Sequence, residues 1–264
     1  MNRPVRIGFF DSGIGGFSVL RHAPQRIGDA EYLYVADSAH APYGDRPPHL
    51  VRERSLAISA FLQQQGVDAI VIACNTATAL AAEQVRAATD LPVIAMEPAI
   101  KPAMQGSRSK RIVVLATEAT LGSERYRLLK HTHALQGEVI ERACHHWVEA
   151  LEQGRLDPAA RLRLVAEELR ALEGSGADTY ILACTHFPFL RAEIAQCLQQ
   201  GQQIIDPASA VIEQLARRLQ LPTPVAVDPR QPRIEVFSSG PPAQLGARIR
   251  DLLGWDIAIR SLQF

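Results

Sequence analysis

The sequence predicts an α/β protein of two similar lobes, each a mainly parallel sheet flanked by helices, with a ligand site in the cleft between them. Three observations predict it. One stretch occurs twice, as Gly66-Val67-Asp68-Ala69-Ile70-Val71-Ile72-Ala73-Cys74-Asn75-Thr76 and as Gly176-Ala177-Asp178-Thr179-Tyr180-Ile181-Leu182-Ala183-Cys184-Thr185-His186. Each copy is an apolar run of strand length that ends in Ala-Cys and polar residues, then gives way to a helical pattern, as a buried parallel strand does. Such strand and helix signals alternate along most of the chain, which is the grammar of parallel sheets. At 264 residues the chain is also long enough for two lobes of ordinary domain size.

In chain order, Val5 to Phe10 reads as a short strand, followed by Asp11-Ser12-Gly13-Ile14-Gly15-Gly16 and a helical stretch from Phe17 that Pro24 should end early. Strand, Gly-rich turn and helix start make a place for an anion. The glycine spacing is wrong for a dinucleotide fingerprint and an aspartate opens the turn, so a small carboxylate suits it better than a pyrophosphate. Glu31 to Ala36 is a second strand, running into a turn at His40-Ala41-Pro42-Tyr43-Gly44, where Tyr43 either reaches across the cleft mouth or packs as a surface aromatic. A helix over about 48 to 65 leads to the first cysteine strand and its helix, and Pro92 to Met96 is a fourth strand.

Past Glu97 and Pro98 the pattern begins again. A short helix ends near Gly106, Ile112 to Ala116 is a strand, and Thr117 to Ser123 is its polar turn. Val139 to Ala143 is the next strand, and Cys144-His145-His146-Trp147 leads into a helix that carries Glu152. Asp157 and Pro158 cap an amphipathic helix through about Leu172, and the second cysteine strand follows, with a helix through Leu190, Ile194 and Leu198. Gln203 to Ile205 is a short strand, Pro207 starts a helix to about Leu219, Pro222 to Pro232 reads as a surface connection, and Ile234 to Phe237 and Pro242 to Leu253 are a last strand and helix. The lobe boundary falls near residue 98. Periodicity leaves open whether the tail caps the second lobe or returns to the first.

With 28 basic and 28 acidic residues the formal charge is +0, so there is no electrostatic footprint for nucleic acid or an anionic membrane, and a small polar substrate is the better default. No apolar run approaches the roughly 20 residues that cross a bilayer, and the first strand starts almost at Met1. A cytoplasmic protein is therefore expected, in which Cys74, Cys144, Cys184 and Cys197 stay reduced. A homodimer is an admissible assembly, and no sequence feature fixes it.

In open α/β sheets ligands bind beyond the carboxyl ends of the strands, so Cys74 and Cys184 fall at equivalent places where a ligand is met. A thiol ordinarily titrates near 8.5, close enough to neutrality to transfer protons when a helix start or a base assists it. Asp11, from a neighbouring strand end, could serve Cys74. His186, two residues on, could serve Cys184, with Glu152 in the same site. Two thiols on opposite sides of one ligand can remove a proton from one face of a carbon and deliver one to the other, which inverts a stereocentre. Cysteine is among the most buried residue types, and a single strand-end cysteine would be read as structural, as Cys144 and Cys197 are here. The repeat tells against that reading for the pair. Adjacent His145 and His146 diverge by roughly 100° on a helix and no zinc-ligand spacing is present, so no metal is expected.

Taken together, Asp11-Ser12-Gly13-Ile14-Gly15-Gly16, Pro42-Tyr43-Gly44, Ala73-Cys74-Asn75-Thr76-Ala77, Thr117 with Thr120, Glu152-Gln153-Gly154 and Cys184-Thr185-His186 resemble the glutamate racemases of the cofactor-independent aspartate/glutamate racemase superfamily. The resemblance runs through nearly the whole chain. It implies two pseudo-symmetric lobes, 1–97 plus 207–264 and 98–206, with the tail returning to the first and glutamate in the cleft. It implies that Cys74 removes the α-proton of D-glutamate and Cys184 that of L-glutamate without a cofactor, with Asp11 assisting Cys74, His186 assisting Cys184 and Glu152 nearby. Ser12, Pro42, Tyr43, Gly44, Asn75, Thr76, Thr117, Thr120 and Thr185 fall where the family binds substrate, and the implied product is D-glutamate for peptidoglycan. None of these motifs contains Arg or Lys, so both substrate carboxylates fall to backbone N–H, Ser, Thr and Asn donors. Two local departures stand out: Phe187 where a tyrosine is usual, and His145-His146-Trp147 where the family has a more apolar, proline-containing run.

Three rivals are distinguishable. An aspartate or other amino-acid racemase differs in side-chain carboxylate reach. A single-thiol acyl transferase or amidase would need one Cys–His pair and leave Cys74 unexplained. A purely regulatory descendant would be expected to have lost a thiol, and both are present.

Overall fold

The computed structural model describes residues 3–154, 157–222 and 233–264. The chain forms two parallel sheets. In the first half, β1 (Val5–Asp11) is followed by two short helices, α1 (Phe17–Leu20) and α2 (Ala23–Ile27), then β2 (Ala30–Ala36), α3 (Pro48–Gln64), β3 (Ala69–Ile72), α4 (Asn75–Ala87) and β4 (Val93–Ala95). In the second come α5 (Ile100–Gly106), β5 (Arg111–Ala116), α6 (Glu118–Leu121), α7 (Glu124–His133), β6 (Glu138–Ala143), α8 (His145–Gln153), α9 (Pro158–Arg170), β7 (Thr179–Ala183), α10 (Arg191–Cys197) and β8 (Gln203–Ile205). The tail supplies α11 (Ala208–Arg218), β9 (Arg233–Ser238), α12 (Pro242–Leu253) and β10 (Ile259–Ser261).

The strand orders are β10-β9-β2-β1-β3-β4 and β6-β5-β7-β8, with every pairing parallel. Each order reverses direction once, between β1 and β3 in the first sheet and between β5 and β7 in the second. Those switch points are where open α/β sheets leave a crevice for a ligand, and they make β1 and β3 the counterparts of β5 and β7. The two cysteines end the matching strands.

The central strands β3 and β7 are buried along their whole length and so need no polar side. Along β3, Ala69 and Val71 enter one apolar cluster and Ile70 and Ile72 another; along β7, Tyr180 and Leu182 alternate in the same way with Ile181 and Ala183. The repeated aspartates anchor the opposite strand ends. Asp68 accepts the Arg6 amide and Arg3, while Asp178 accepts Ser107 Oγ and the Arg108 and Ser109 amides.

Several expectations needed correction. Pro24 does not close the first helix, which ends at Leu20; it lies in the opening turn of α2, where its missing N–H costs nothing. The helix after Cys184 is shorter than the sequence suggests, because Phe187–Leu190 is a 3-10 turn before α10 begins. The question that periodicity left open is answered by pairing: β9 lies beside β2 and β10 beside β9, while α11 packs Val211, Ile212 and Leu215 into the first core. β10 was not foreseen, being three residues at a sheet edge with one half-buried isoleucine. The Pro222 to Pro232 connection falls, after Pro222, outside the described residues.

Candidate active site

The turn after β1 is built to receive the other lobe. Asp11, fully buried at the strand end, accepts the Gly13 amide at 2.8 Å on one carboxylate oxygen and Thr185 Oγ1 at 3.1 Å on the other. The Ile14 amide donates to Glu152 Oε1 at 2.9 Å. Where the sequence suggests a place for a small carboxylate ligand, the Ile14 amide is taken up by the protein's own Glu152. The glycines provide close approach: a Cβ on Gly13 would lie 1.8 Å from Glu152 Oε1, and one on Gly15 would lie 2.5 Å from both His186 Nδ1 and Thr185 Oγ1. Tyr34, on β2, donates its hydroxyl to the Gly13 carbonyl at 2.8 Å and so supports the turn from below. Only the turn's packing, invisible in one-dimensional spacing, shows this role.

Cys74 N-caps α4, its sulfur accepting the Ala77 amide at 3.4 Å. It is 5% exposed, and burial followed by the nearby Asp11 charge pushes its thiol well above the ordinary value. Burial first, and the Asp11 charge second, thus favour the thiol over the thiolate at Cys74. Burial also raises Asp11 itself, against the lowering effect of His186. On the next helical positions, Asn75 has neither side-chain amide atom paired among the described residues although it is 3% exposed, and Thr76 Oγ1 lies 3.0 Å from Thr117 Oγ1 and 3.4 Å from Thr120 Oγ1. Thr117 in turn N-caps α6 through the Thr120 amide. These hydroxyls close the cleft across the two lobes.

Cys184, 6% exposed, has no helix cap of its own, since the chain enters a 3-10 turn. Its partner is the imidazole: His186 Nδ1 lies 3.8 Å from Cys184 Sγ, and His186 Nε2 lies 2.7 Å from Glu152 Oε1. Burial alone would lower the His186 pKa, but the hydrogen bonds to Cys184 and Glu152 outweigh it and hold the ring well above its usual value. An imidazolium donating both N–H groups satisfies this arrangement. Charge on Cys184 raises the Cys74 thiol further. The site thus has two sulfurs with unlike support, one capping a helix beside a buried carboxylate and one on a His–Glu relay.

Not every expected residue points inward. Tyr43 is 1% exposed and donates to Asp37 Oδ2 at 2.7 Å, so its hydroxyl does not reach across the mouth. Asp37 also binds Arg54 through both oxygens and Ser239, and this buried cluster, which sequence reasoning missed, holds the 40–46 turn in place. The turn meets the second lobe at Gly44, where a Cβ would lie 3.2 Å from Thr117 Cβ. Ser12 is buried beside Asp11, and its amide helps stabilise negative charge on Cys74. Pro42 precedes the Tyr43–Asp45 3-10 turn. His145 pairs with Glu118 at 3.3 Å, and among the described residues no group of three His, Cys, Asp or Glu side chains could hold a metal. The two departures noted in sequence touch each other: the Trp147 and Phe187 rings meet edge to face, 4.9 Å between centroids, and tie α8 to the Cys184 turn.

Known proteins with this sequence and shape agree with one another. The model of the Asp/Glu/Hydantoin racemase family matches residues 18–215. A glutamate racemase of Methylococcus capsulatus is 43% identical over 242 residues, covering 92% of this chain and 89% of that protein. Among solved structures, a glutamate racemase isoform of Bacillus anthracis superposes with a TM-score of 0.88 at 28% identity, over 100% of this chain and 99% of the other. The Escherichia coli glutamate racemase, solved with L-glutamate and the activator UDP-MurNAc-Ala, gives 0.86 at 27% identity over 98% of each chain. Matches this long, on a chain whose duplicated strands bring two thiols to one cleft, mean that it belongs to the Asp/Glu/Hydantoin racemase family, among the glutamate racemases.

Proposed function

We propose that this protein interconverts L- and D-glutamate by two-base proton transfer between Cys74, Cys184 and the substrate α-carbon. The observation that carries the reading is the pair of buried thiols at matching switch points, each with its own partner. With D-glutamate, the Cys74 sulfur takes the α-proton: the C–H bond breaks, an S–H bond forms, and the electron pair stays on the α-carbon. Cys184 then gives its proton to the opposite face, and L-glutamate results. The reverse direction starts at Cys184. His186, backed by Glu152, compensates charge that develops on the Cys184 sulfur, and Asp11 assists at Cys74 through the first turn. Ser12, Asn75, Thr76, Thr117, Thr120 and Thr185, with the Pro42-Tyr43-Gly44 turn, hold the substrate carboxylates and ammonium. Tyr43 contributes through the turn it anchors. Oriented neutral donors of this kind stabilise the developing carboxylate-side charge without adding a cation beside the thiols. The unpaired amide of Asn75 supports that role, because a buried polar group without a partner costs roughly 1–3 kcal/mol unless a ligand satisfies it.

The two lobes of this reading are residues 1–97 plus 207–264 and residues 98–206, hinged where the chain crosses between sheets. The product serves peptidoglycan synthesis. A cytoplasmic setting is supported by four free cysteines, as a reducing compartment keeps them, and no described helix is long and apolar enough to cross a membrane. A homodimer is one admissible assembly, measurable by analytical ultracentrifugation.

The test is proton NMR in D2O with either enantiomer and no added cofactor, following deuterium at the α-carbon together with optical rotation. Exchange with loss of rotation from both enantiomers is expected. Cys74→Ser and Cys184→Ser should each abolish net inversion, and full racemisation surviving either change would refute the two-base account.

A further inference from the structure

The end of α8 carries Glu152, and two first-lobe groups hold it. One is the Ile14 amide, which binds the Glu152 side chain. The other is Arg248 of α12, whose Nη1 donates to the Gly154 carbonyl at 2.8 Å and to Asp251 Oδ2 at 2.9 Å. Gly154 ends α8 in the left-handed region, φ 62°, and a Cβ there would lie 1.2 Å from Arg248 Nη1, so the guanidinium lies directly against the helix end. The rest of α8 belongs to the second lobe through Trp147, Val148 and Leu151. Around Arg248 the packing is open. A hollow of about 460 Å³ between Gln153 and Gln244 lies on one side and a smaller one of about 120 Å³ beside Arg161 on the other, with Arg248 lining both. Leu252 of α12 packs against the cluster that contains Leu151, and beyond that apolar contact Arg248 supplies the polar tie to the last turn of α8.

We infer that Arg248 is a positioning residue for the Cys184 half of the reaction, locking the last turn of α8 against the first lobe so that Glu152 stays on His186. The inference rests on the proposed racemisation. Without the lock, the Gly154 end moves relative to Ile14 and the Glu152–His186 contact becomes intermittent. The imidazolium loses part of its support, and the proton transfer at Cys184 slows while that at Cys74 does not.

The enantiomers are equal in energy in water, so kcat/KM falls equally in both directions and rates alone do not locate the lesion. Isotope effects do. In Arg248→Met, which keeps the stem and loses the donors, kcat/KM should fall about tenfold. The deuterium isotope effect with α-deuterated L-glutamate should rise, because Cys184 removes that atom, and the effect with α-deuterated D-glutamate should shrink. Arg248→Lys, with one donor in reach of Gly154, should recover much of the loss. By NMR of ring-labelled histidine, with His186→Asn to assign the signal, His186 should titrate at lower pH in Arg248→Met than in the parent. Isotope effects and His186 titration unchanged in a folded Arg248→Met would overturn the inference. A parent protein that does not racemise glutamate would instead sink the proposed function, while the His186 titration would still report on the positioning.

Discussion

Replacing Gly13 by alanine is the sharpest test of the relay, because the three atoms nearest the added Cβ all belong to Glu152, at 1.8, 2.5 and 2.8 Å. The backbone at Gly13 is outside the left-handed region, so alanine is not strained there and the effect comes from evicting the carboxylate. Glu152 would lose its contacts to His186 at 2.7 Å and to the Ile14 amide at 2.9 Å. A charge-assisted hydrogen bond is worth about 1.5–3 kcal/mol net, and the Glu152 side chain, 17% exposed, is partly screened by water, which favours the lower end. Taking about 1.5–2 kcal/mol for the His186 contact gives a fall in kcat/KM of roughly 10- to 30-fold. Circular dichroism of glutamate at substrate levels from well below to well above KM measures it. Gly106→Ala is the control, since nothing lies within 4 Å of its added Cβ. A double-mutant cycle makes the reasoning strict: in a Glu152→Ala background, Gly13→Ala should cost less than about twofold, because the atoms it displaces are gone. Activity of Gly13→Ala within twofold of the parent would refute the argument, as would losses that simply multiply in the double variant.

Three further outcomes concern stability. The Asp37 carboxyl is pressed upward by burial, but Arg54, Ser239 and Tyr43 outweigh this and hold it below the usual range. Its stabilisation is therefore present above the unfolded value of about 3.9 and lost as pH falls through the lower folded value, so the urea-midpoint gap between the parent and Asp37→Asn should close below about pH 4. Arg54→Met, which leaves the buried carboxylate without its cation, should cost about 3–5 kcal/mol at pH 7 in the same experiment, and a cost under 1 would discount the cluster. Asp178→Ala removes the acceptor of four hydrogen bonds at the amino-terminal edge of the second sheet, and should lower stability by about 2–3 kcal/mol with kcat/KM unchanged.

Much of the fold was legible because central strands such as β3 and β7 are buried on both faces and so read as unbroken apolar runs, punctuated at their carboxyl ends. The repeat ending in Cys74 and Cys184 gave the two sheets and the edge where a ligand is met. What stayed hidden depends on contacts between segments far apart in sequence. Nothing local marks Tyr34 as the support of the Gly13 carbonyl, 21 residues away. Nor does Asp37 announce that it gathers Tyr43, Arg54 and Ser239, since each looks like an ordinary turn or helix residue by itself. The glycines of the first turn were read as an anion cradle from their backbone chemistry. Their spacing alone could not say that Glu152 and His186 would come from the other lobe to fill it.

The duplicated unit also explains why the two thiols can differ while occupying equivalent places. Both follow the middle strand of a switch point, yet the residues after them diverge, Asn75-Thr76 in one and Thr185-His186 in the other. Asn75 and Thr76 are compatible with an immediate α-helix, so Cys74 becomes its N-cap and receives an amide hydrogen. His186 and Pro188 impose a 3-10 turn, which leaves Cys184 without a cap and places an imidazole beside it. In the proposed reaction one sulfur must accept a proton while the other gives one, and the roles reverse with the enantiomer. Identical environments would leave nothing but the substrate to decide which sulfur carries the proton. Here burial and then Asp11 raise the Cys74 thiol, while the hydrogen bonds to Cys184 and then Glu152 raise His186. In the proposed reaction this asymmetry biases the two proton transfers differently, with His186 able to balance charge at Cys184. Because the equilibrium constant is one, that bias cannot appear as a difference in kcat/KM between directions. It must appear in the individual proton-transfer steps, where isotope effects measured separately on the two enantiomers will find it.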